Sequence, residues 1–128
     1  MIYLDTSVAL AQLLSEDRTP PARIWNEELV SSRLLEFELW TRLNARRLAE
    51  SHGDGARALV ARVGLLEMVG PVLARALEPF PVPVRTLDAL HLASMVFIRE
   101  RLPHLQLATY DTRLMTAARK LGIPAYRL

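Results

Sequence analysis

Two short β-prone runs, Ile2-Tyr3-Leu4 and Leu105 to Thr109, each give way within two residues to an aspartate that opens a helical pattern, YLDTS in the first case and TYDTR in the second. A strand that feeds straight into a capped helix cannot reach its neighbour through a tight hairpin. It needs a crossover, and strands alternating with helices impose right-handed crossovers on a mostly parallel sheet covered on both faces. The expected class is therefore α/β, a three-layer α/β/α sandwich around a mostly parallel central sheet of four to five short strands. In such sheets ligands lie beyond the carboxyl ends of the strands, where the strand order reverses. Asp5 and Asp111 both fall at that edge.

Local signals divide the rest of the chain. Ser7 to Leu14 predict a helix, Ser15 to Thr19 a polar turn, and Pro20-Pro21 the start of a helix ending near Leu29. A strand at Val30 to Ser32 precedes a long helix from Leu34 to Glu50. Gly53-Asp54-Gly55 predicts a turn before a helix over Ala56 to Met68, and Gly70-Pro71 introduces a short helix ending near Leu77. The prolines of Glu78 to Val84 (EPFPVPV) remove the donors an interior strand needs, which leaves an extended connector or an edge strand. Thr86 or Asp88 begins a helix to about Arg101, Asp111 to Leu121 form the last helix, and Pro124 to Arg127 a final short strand. No repeat or long polar linker interrupts the chain, so residues 1–128 are expected to form a single domain.

A hydrophobic content of 51% is ample for a core and excludes disorder, while the absence of Cys excludes a disulfide framework, a thiolate zinc site and a cysteine nucleophile. No apolar run has the length of a membrane span, and a cytoplasmic location is expected. The formal net charge of +2 is too small to argue for a nucleic-acid partner by itself. All but one of the basic residues, Lys120, are arginine, a side chain suited to forked phosphate contacts. Genomic base composition explains that excess equally well.

Asp5, Asp88 and Asp111 each lie at or near a helix start, where a carboxylate is favoured for capping alone. Two of them, however, follow strands of the same sheet. The helix beginning at Leu34 adds Glu36 and Glu38, and at about 100° per residue Glu38 falls inside the mainly apolar arc whereas Glu36 falls beside Arg47 on the polar face. The helix carrying Asp88 is apolar on nearly every side, and a carboxylate there needs hydrogen bonds or a cation. If Asp5, Glu38, Asp88 and Asp111 converge, their repulsion calls for a bound divalent ion, and all-oxygen ligation points to Mg²⁺ or Mn²⁺ retaining several waters.

Four stretches in order, MIYLDTSVAL, VSSRLLEFEL, VRTLDALHLASM and LATYDTRLMTAARKLGIPAYRL, resemble the PIN-domain family and, within it, the small VapC-type ribonuclease toxins of prokaryotic toxin–antitoxin pairs. The resemblance implies an endoribonuclease in which an acidic cluster, here Asp5, Glu38, Asp88 and Asp111, holds Mg²⁺ or Mn²⁺ and hydrolyses structured RNA to 5′-phosphate and 3′-hydroxyl ends. It also implies that Thr6, Ser7 and Thr109 orient the site and that a cognate antitoxin is a partner. Glu36 departs from the family pattern and leaves the choice of glutamate open; the helical wheel favours Glu38. The chemistry expected of the ion is to lower the pKa of a bound water and to stabilise charge on the phosphate, with no side-chain nucleophile.

Setting the four acids aside leaves +6 on the rest of the chain, so RNA can approach without a basic tract. Arg33, Arg85 and Arg113 lie near the acids in sequence and are the candidate phosphate contacts. His91, three residues after Asp88, is expected to make a buried hydrogen bond rather than act as a general base. Trp25 and Trp40, with Leu29, Phe37 and Leu43, offer apolar surface for a homodimer seam or an antitoxin groove. An aspartyl-nucleophile phosphatase would want an acid where Ser7 stands, and a phospho-accepting receiver would want a lysine after a late strand, whereas Lys120 lies in the last helix. The remaining alternative is a PIN-like module without catalysis that binds RNA or a partner, which the four intact acids argue against.

Overall fold

The computed structural model describes residues 1–128 in full. The elements are β1 (Ile2–Leu4), α1 (Thr6–Leu14), a 3₁₀ turn (Ala22–Asn26), β2 (Leu29–Ser32), α2 (Leu34–Ala45), α3 (Ala49–Val60), β3 (Val63–Leu66), α4 (Gly70–Ala76), α5 (Thr86–Arg99), β4 (Gln106–Ala108) and α6 (Thr112–Lys120). The strands form one parallel sheet in the order β3-β2-β1-β4. The chain thus builds outward from β1 in one direction and then crosses to its other side, so the order reverses between β1 and β4. Their register pairs Leu4 with Ala108, and the Asp5 amide donates to the Ala108 carbonyl at 3.0 Å. In-phase pairing brings the two aspartate-bearing strand ends to the same level.

The side-chain period of two splits the core between the sheet faces. Ile2 and Leu4 point to one face and pack with Val8, Leu35, Leu39 and Leu59 from α1, α2 and α3. Tyr3 points to the other, among Leu92 and Met95 of α5 and Leu114 of α6. This is the three-layer sandwich expected. No helix is long and apolar enough to cross a membrane.

Several boundaries differ from expectation. Pro20-Pro21 leads only into the 3₁₀ turn, and β2 starts at Leu29. The helix expected over Leu34 to Glu50 divides after Ala45, where Leu48 N–H donates to the Leu43 carbonyl and Arg47 N–H to that of Asn44. Those paired bonds form a Schellman motif with Arg47 at φ 56°, the left-handed position usually given to glycine. The Gly53-Asp54-Gly55 turn is instead the middle of α3: a Cβ on Gly53 would stand 3.1 Å from the Trp40 ring, and one on Gly55 3.0 Å from Leu13. The glycines let α3 lie close against α2 and α1. Val63–Leu66, expected within a helix, forms β3, and the last strand shrinks to a single bridge, Leu107 with Ala125.

The expected apolar seam is also largely spent inside the molecule. Leu29 and Leu43 are buried, Trp25 packs partly on the core, and the Arg57 guanidinium lies 5.1 Å from the Trp40 ring centre. Of that group Phe37 alone is strongly exposed; the other exposed large apolar side chains include Val69, Leu73, Leu77 and Leu87.

Candidate active site

Asp5, Thr6, Ser7, Glu38, Asp88, His91 and Asp111 line one open cleft of about 710 Å³ at the carboxyl ends of β1 and β4. Asp5 caps α1, and it is only 7% exposed. Three donors converge on its Oδ2: the Ser7 hydroxyl at 2.6 Å, the Thr109 hydroxyl at 2.7 Å and the Ser7 amide at 3.3 Å. The two hydroxyls are themselves fixed, since Ser7 Oγ accepts from the Tyr110 amide at 3.0 Å and Thr109 Oγ1 from the Asp111 amide at 2.9 Å. Each hydroxyl proton is committed to Asp5, so the network reads in one direction. Asp111 caps α6 through Oδ1, which accepts from the Arg113 and Leu114 amides at 2.9 and 3.2 Å.

Glu38 reaches the cleft from α2. Its Oε1 accepts from the Thr6 hydroxyl at 3.1 Å and lies 2.5 Å from His91 Nε2. Glu36 projects elsewhere, 3.5 Å from Arg33, and does not line the cleft. For Asp5, Glu38 and Asp111, one carboxylate oxygen is thus held by protein donors while the other has none. Such a set of hard oxygen donors fits a small divalent cation that keeps several waters. The acids do not close into a cage, because no three His, Asp or Glu side chains have the spacing to hold an ion by themselves.

The electrostatics place Asp88 within the same field. Its carboxyl is raised above the usual aspartate range by burial first, and further by the negative charges of Asp111 and Asp5, against a backbone hydrogen bond at Arg85 that lowers it. His91 is lowered by burial, but the hydrogen bond and charge of Glu38, with Asp5 and Asp88 behind, outweigh that and leave it raised.

The family model for the PIN domain matches residues 2–120. This chain belongs to the PIN-domain family. Ribonuclease VapC47 of Mycobacterium tuberculosis is 34% identical over 129 residues, covering 95% of this chain and 93% of the relative. Ribonuclease VapC46 of the same species is 33% identical over 125 residues, with 95% and 93% covered, and Ribonuclease VapC35 is 30% identical over 130 residues, with 96% and 93% covered. The likeness runs nearly the full length of this PIN domain and places it with the VapC type.

The arginines of this PIN domain are arranged differently from expectation. Arg33 pairs with Glu67 at 2.5 Å, a contact that raises its own pKa and lowers that of Glu67. Arg85 lines a separate groove between α4, α5 and the proline-rich connector, and Arg113 is exposed on α6 outside the cleft lining. Arg18, Arg42 and Arg46 line the acidic cleft instead. Arg18 is held there by the Tyr110 carbonyl at 3.2 Å, its guanidinium 5.3 Å from the centre of the Tyr110 ring. Arg42 lies one helical turn beyond Glu38 on α2 and Arg46, at the C-cap, a second turn beyond that, relations the sequence carries; Arg18 arrives from the turn after α1.

Proposed function

We propose that this PIN domain is a Mg²⁺- or Mn²⁺-dependent endoribonuclease, the toxin of a type II toxin–antitoxin pair. The observation that carries the reading is the meeting of Asp5, Glu38, Asp88 and Asp111 in one cleft at the point where the strand order reverses. The names of its relatives, all ribonucleases, agree with it. Asp5, Glu38, Asp88 and Asp111 would hold the ion together with waters, since no three of them are spaced to hold it alone. When bound, the ion supplies a water of lowered pKa and neutralises charge on the scissile phosphate.

The protein's own part is orientation. Ser7 and Thr109 hold one oxygen of Asp5 and leave its second without a protein donor, and Thr6 and His91 do the same for Glu38. Arg18, Arg42 and Arg46 draw the RNA backbone against the acids, which would otherwise repel it. A homodimer, a cognate antitoxin and a cytoplasmic location belong to the same proposal. Exposed Phe37 and Leu87 on the cleft lip, with Leu73 on α4 and Leu77 just past its end, are apolar surface such partners would cover.

The test is cleavage of a structured RNA by the wild type with Mg²⁺ or Mn²⁺, with EDTA, and by Asp5→Asn. Cutting that needs the ion and falls at least a hundredfold in the variant, with the fold retained by circular dichroism, supports the site. Equal cutting in EDTA or by Asp5→Asn overturns it, and RNA binding without any cutting would mark a binding module.

A further inference from the structure

His91 and Tyr3 are deeply buried polar side chains behind the cleft, 2% and 0% exposed, and the expectation of one buried hydrogen bond for the histidine understates what they do. Tyr3 Oη lies 2.7 Å from His91 Nδ1 and accepts from the Ser32 amide at 3.2 Å. The rings meet edge to face, with centres 5.8 Å apart and an interplanar angle of 88°. On the other side of the imidazole, Nε2 is 2.5 Å from Glu38 Oε1. The chain of contacts therefore runs from the backbone of β2, through a side chain of β1 and one of α5, to a carboxylate of α2.

Glu38 sets its direction for a neutral ring, because a carboxylate only accepts, so Nε2 donates to it and Nδ1 is left to accept. The Ser32 amide can only donate, so Tyr3 Oη accepts there and has its single proton free for His91 Nδ1. A neutral imidazole that accepts at Nδ1 carries its proton on Nε2 and donates to Glu38. The opposite tautomer would set the Nε2 lone pair against a carboxylate oxygen. Even a doubly protonated ring donates from Nε2, so the bond to Glu38 survives in both charge states. Thr6 supplies the second donor to the same oxygen, leaving Oε2 without a protein donor.

We infer that Tyr3 and His91 form a buried relay whose role is to hold Glu38 in its working orientation, making both positioning residues of the site. The relay rests on the metal-site reading above for what Glu38 does, though its own geometry stands in the metal-free protein. It differs from a merely structural pair in having an exit to the cleft: the partner at its end is the least buried member, with 24% of its side chain exposed. Asp88, three residues before His91 on α5, lines the same cleft, so the helix that brings one acid also brings the group that orients another.

Two measurements on the full chain test it. Nitrogen-edited NMR of histidine side chains in the metal-free protein, with His91 identified by its loss in His91→Gln, is expected to show Nε2 protonated and Nδ1 accepting. In Tyr3→Phe, Nδ1 is expected to lose its hydrogen-bonded shift while Glu38 keeps the proton on Nε2. Mn²⁺ binding, followed by the electron-spin signal of free Mn²⁺, is expected to weaken about tenfold or more in His91→Leu. It is expected to stay within about threefold of wild type in His91→Gln, whose amide can still donate to Glu38. In the neutral ring, a proton on Nδ1 with Nε2 bare, or rapid exchange between tautomers in the wild type, overturns the relay. So does a His91→Leu protein that binds Mn²⁺ as the wild type does while Glu38→Gln binds it more weakly, a result that leaves the metal site itself standing. If the wild type binds no Mn²⁺ but shows the fixed Nε2 proton, the relay is supported and the metal reading fails. Should His91→Leu not fold, Tyr3→Phe carries both measurements.

Discussion

Thr109 acts on two acids at once, donating to Asp5 Oδ2 and accepting from the Asp111 amide. Thr109→Val keeps the shape and removes both bonds. We expect cleavage to fall about 10- to 100-fold, as for other loss of support to a metal-binding carboxylate, and stability to fall by about 1–2 kcal/mol in urea unfolding. Unchanged cleavage would mean that Asp5 is held adequately by Ser7 alone. Asp88 offers a test in the other direction. Its raised pKa means that the folded protein holds the proton more tightly than the unfolded chain, so stability from this group declines as pH rises from the ordinary value of 3.8 through the folded one. Asp88→Asn removes that ionisation. With the ion chelated, the variant is expected to melt above wild type at pH 7, to lose the advantage below about pH 4, and to cleave no RNA. A melting temperature at pH 7 no higher than wild type would show that burial and repulsion at Asp88 are already relieved.

At the scale of the element, the turn between α2 and α3 shows what local sequence conceals. Arg47 stands at φ 56° in a Schellman motif, a conformation that costs a residue with a Cβ about 1 kcal/mol. Arg47→Gly is expected to raise stability by about 0.5–1 kcal/mol, read as a higher urea midpoint with an unchanged slope. A lower midpoint would mean that the arginine side chain contributes more than the backbone strain removes. With neither Gly nor Pro in NARRLAES, nothing marked this break in advance. β3 was hidden because four residues, VGLL, are too few for periodicity to separate strand from helix. The glycines of α3 misled because their reason is tertiary: Trp40 and Leu13 occupy the space a Cβ would need. By contrast β1, α1, β4 and α6 were legible, since each strand hands over to a helix at an aspartate that caps it. The acids that line the cleft were singled out through helix starts of this kind, and Glu38 through the helical wheel. Of the arginines singled out, Arg33, Arg85 and Arg113, none lines the cleft, because nearness to an acid in sequence is a poor guide to nearness in a crossover fold: Arg33 is spent on Glu67, while Arg18 reaches the cleft from the turn after α1.

On the proposed function, the whole molecule has to bring a polyanion to a pocket lined by acids. Its formal charge is +2, so with the four acids confined to the cleft the remaining surface carries +6, and part of that charge stands at the rim as Arg18, Arg42 and Arg46. Arg42 and Arg46 have no carboxylate within ion-pair distance, so their guanidinium groups are available to phosphate. Replacing both by Ala should weaken RNA binding roughly uniformly across sequences, because backbone contacts carry no base information. If each neutralises one phosphate, the slope of log Kd against log salt should also fall, by about 1 to 2 for the pair. Binding of a non-cleavable RNA to wild type and to Arg42→Ala/Arg46→Ala, across a salt series, measures both quantities. Weaker binding with an unchanged slope would assign the two side chains to packing or stacking, and the approach of RNA to the acids would then depend on the diffuse charge of the remaining surface.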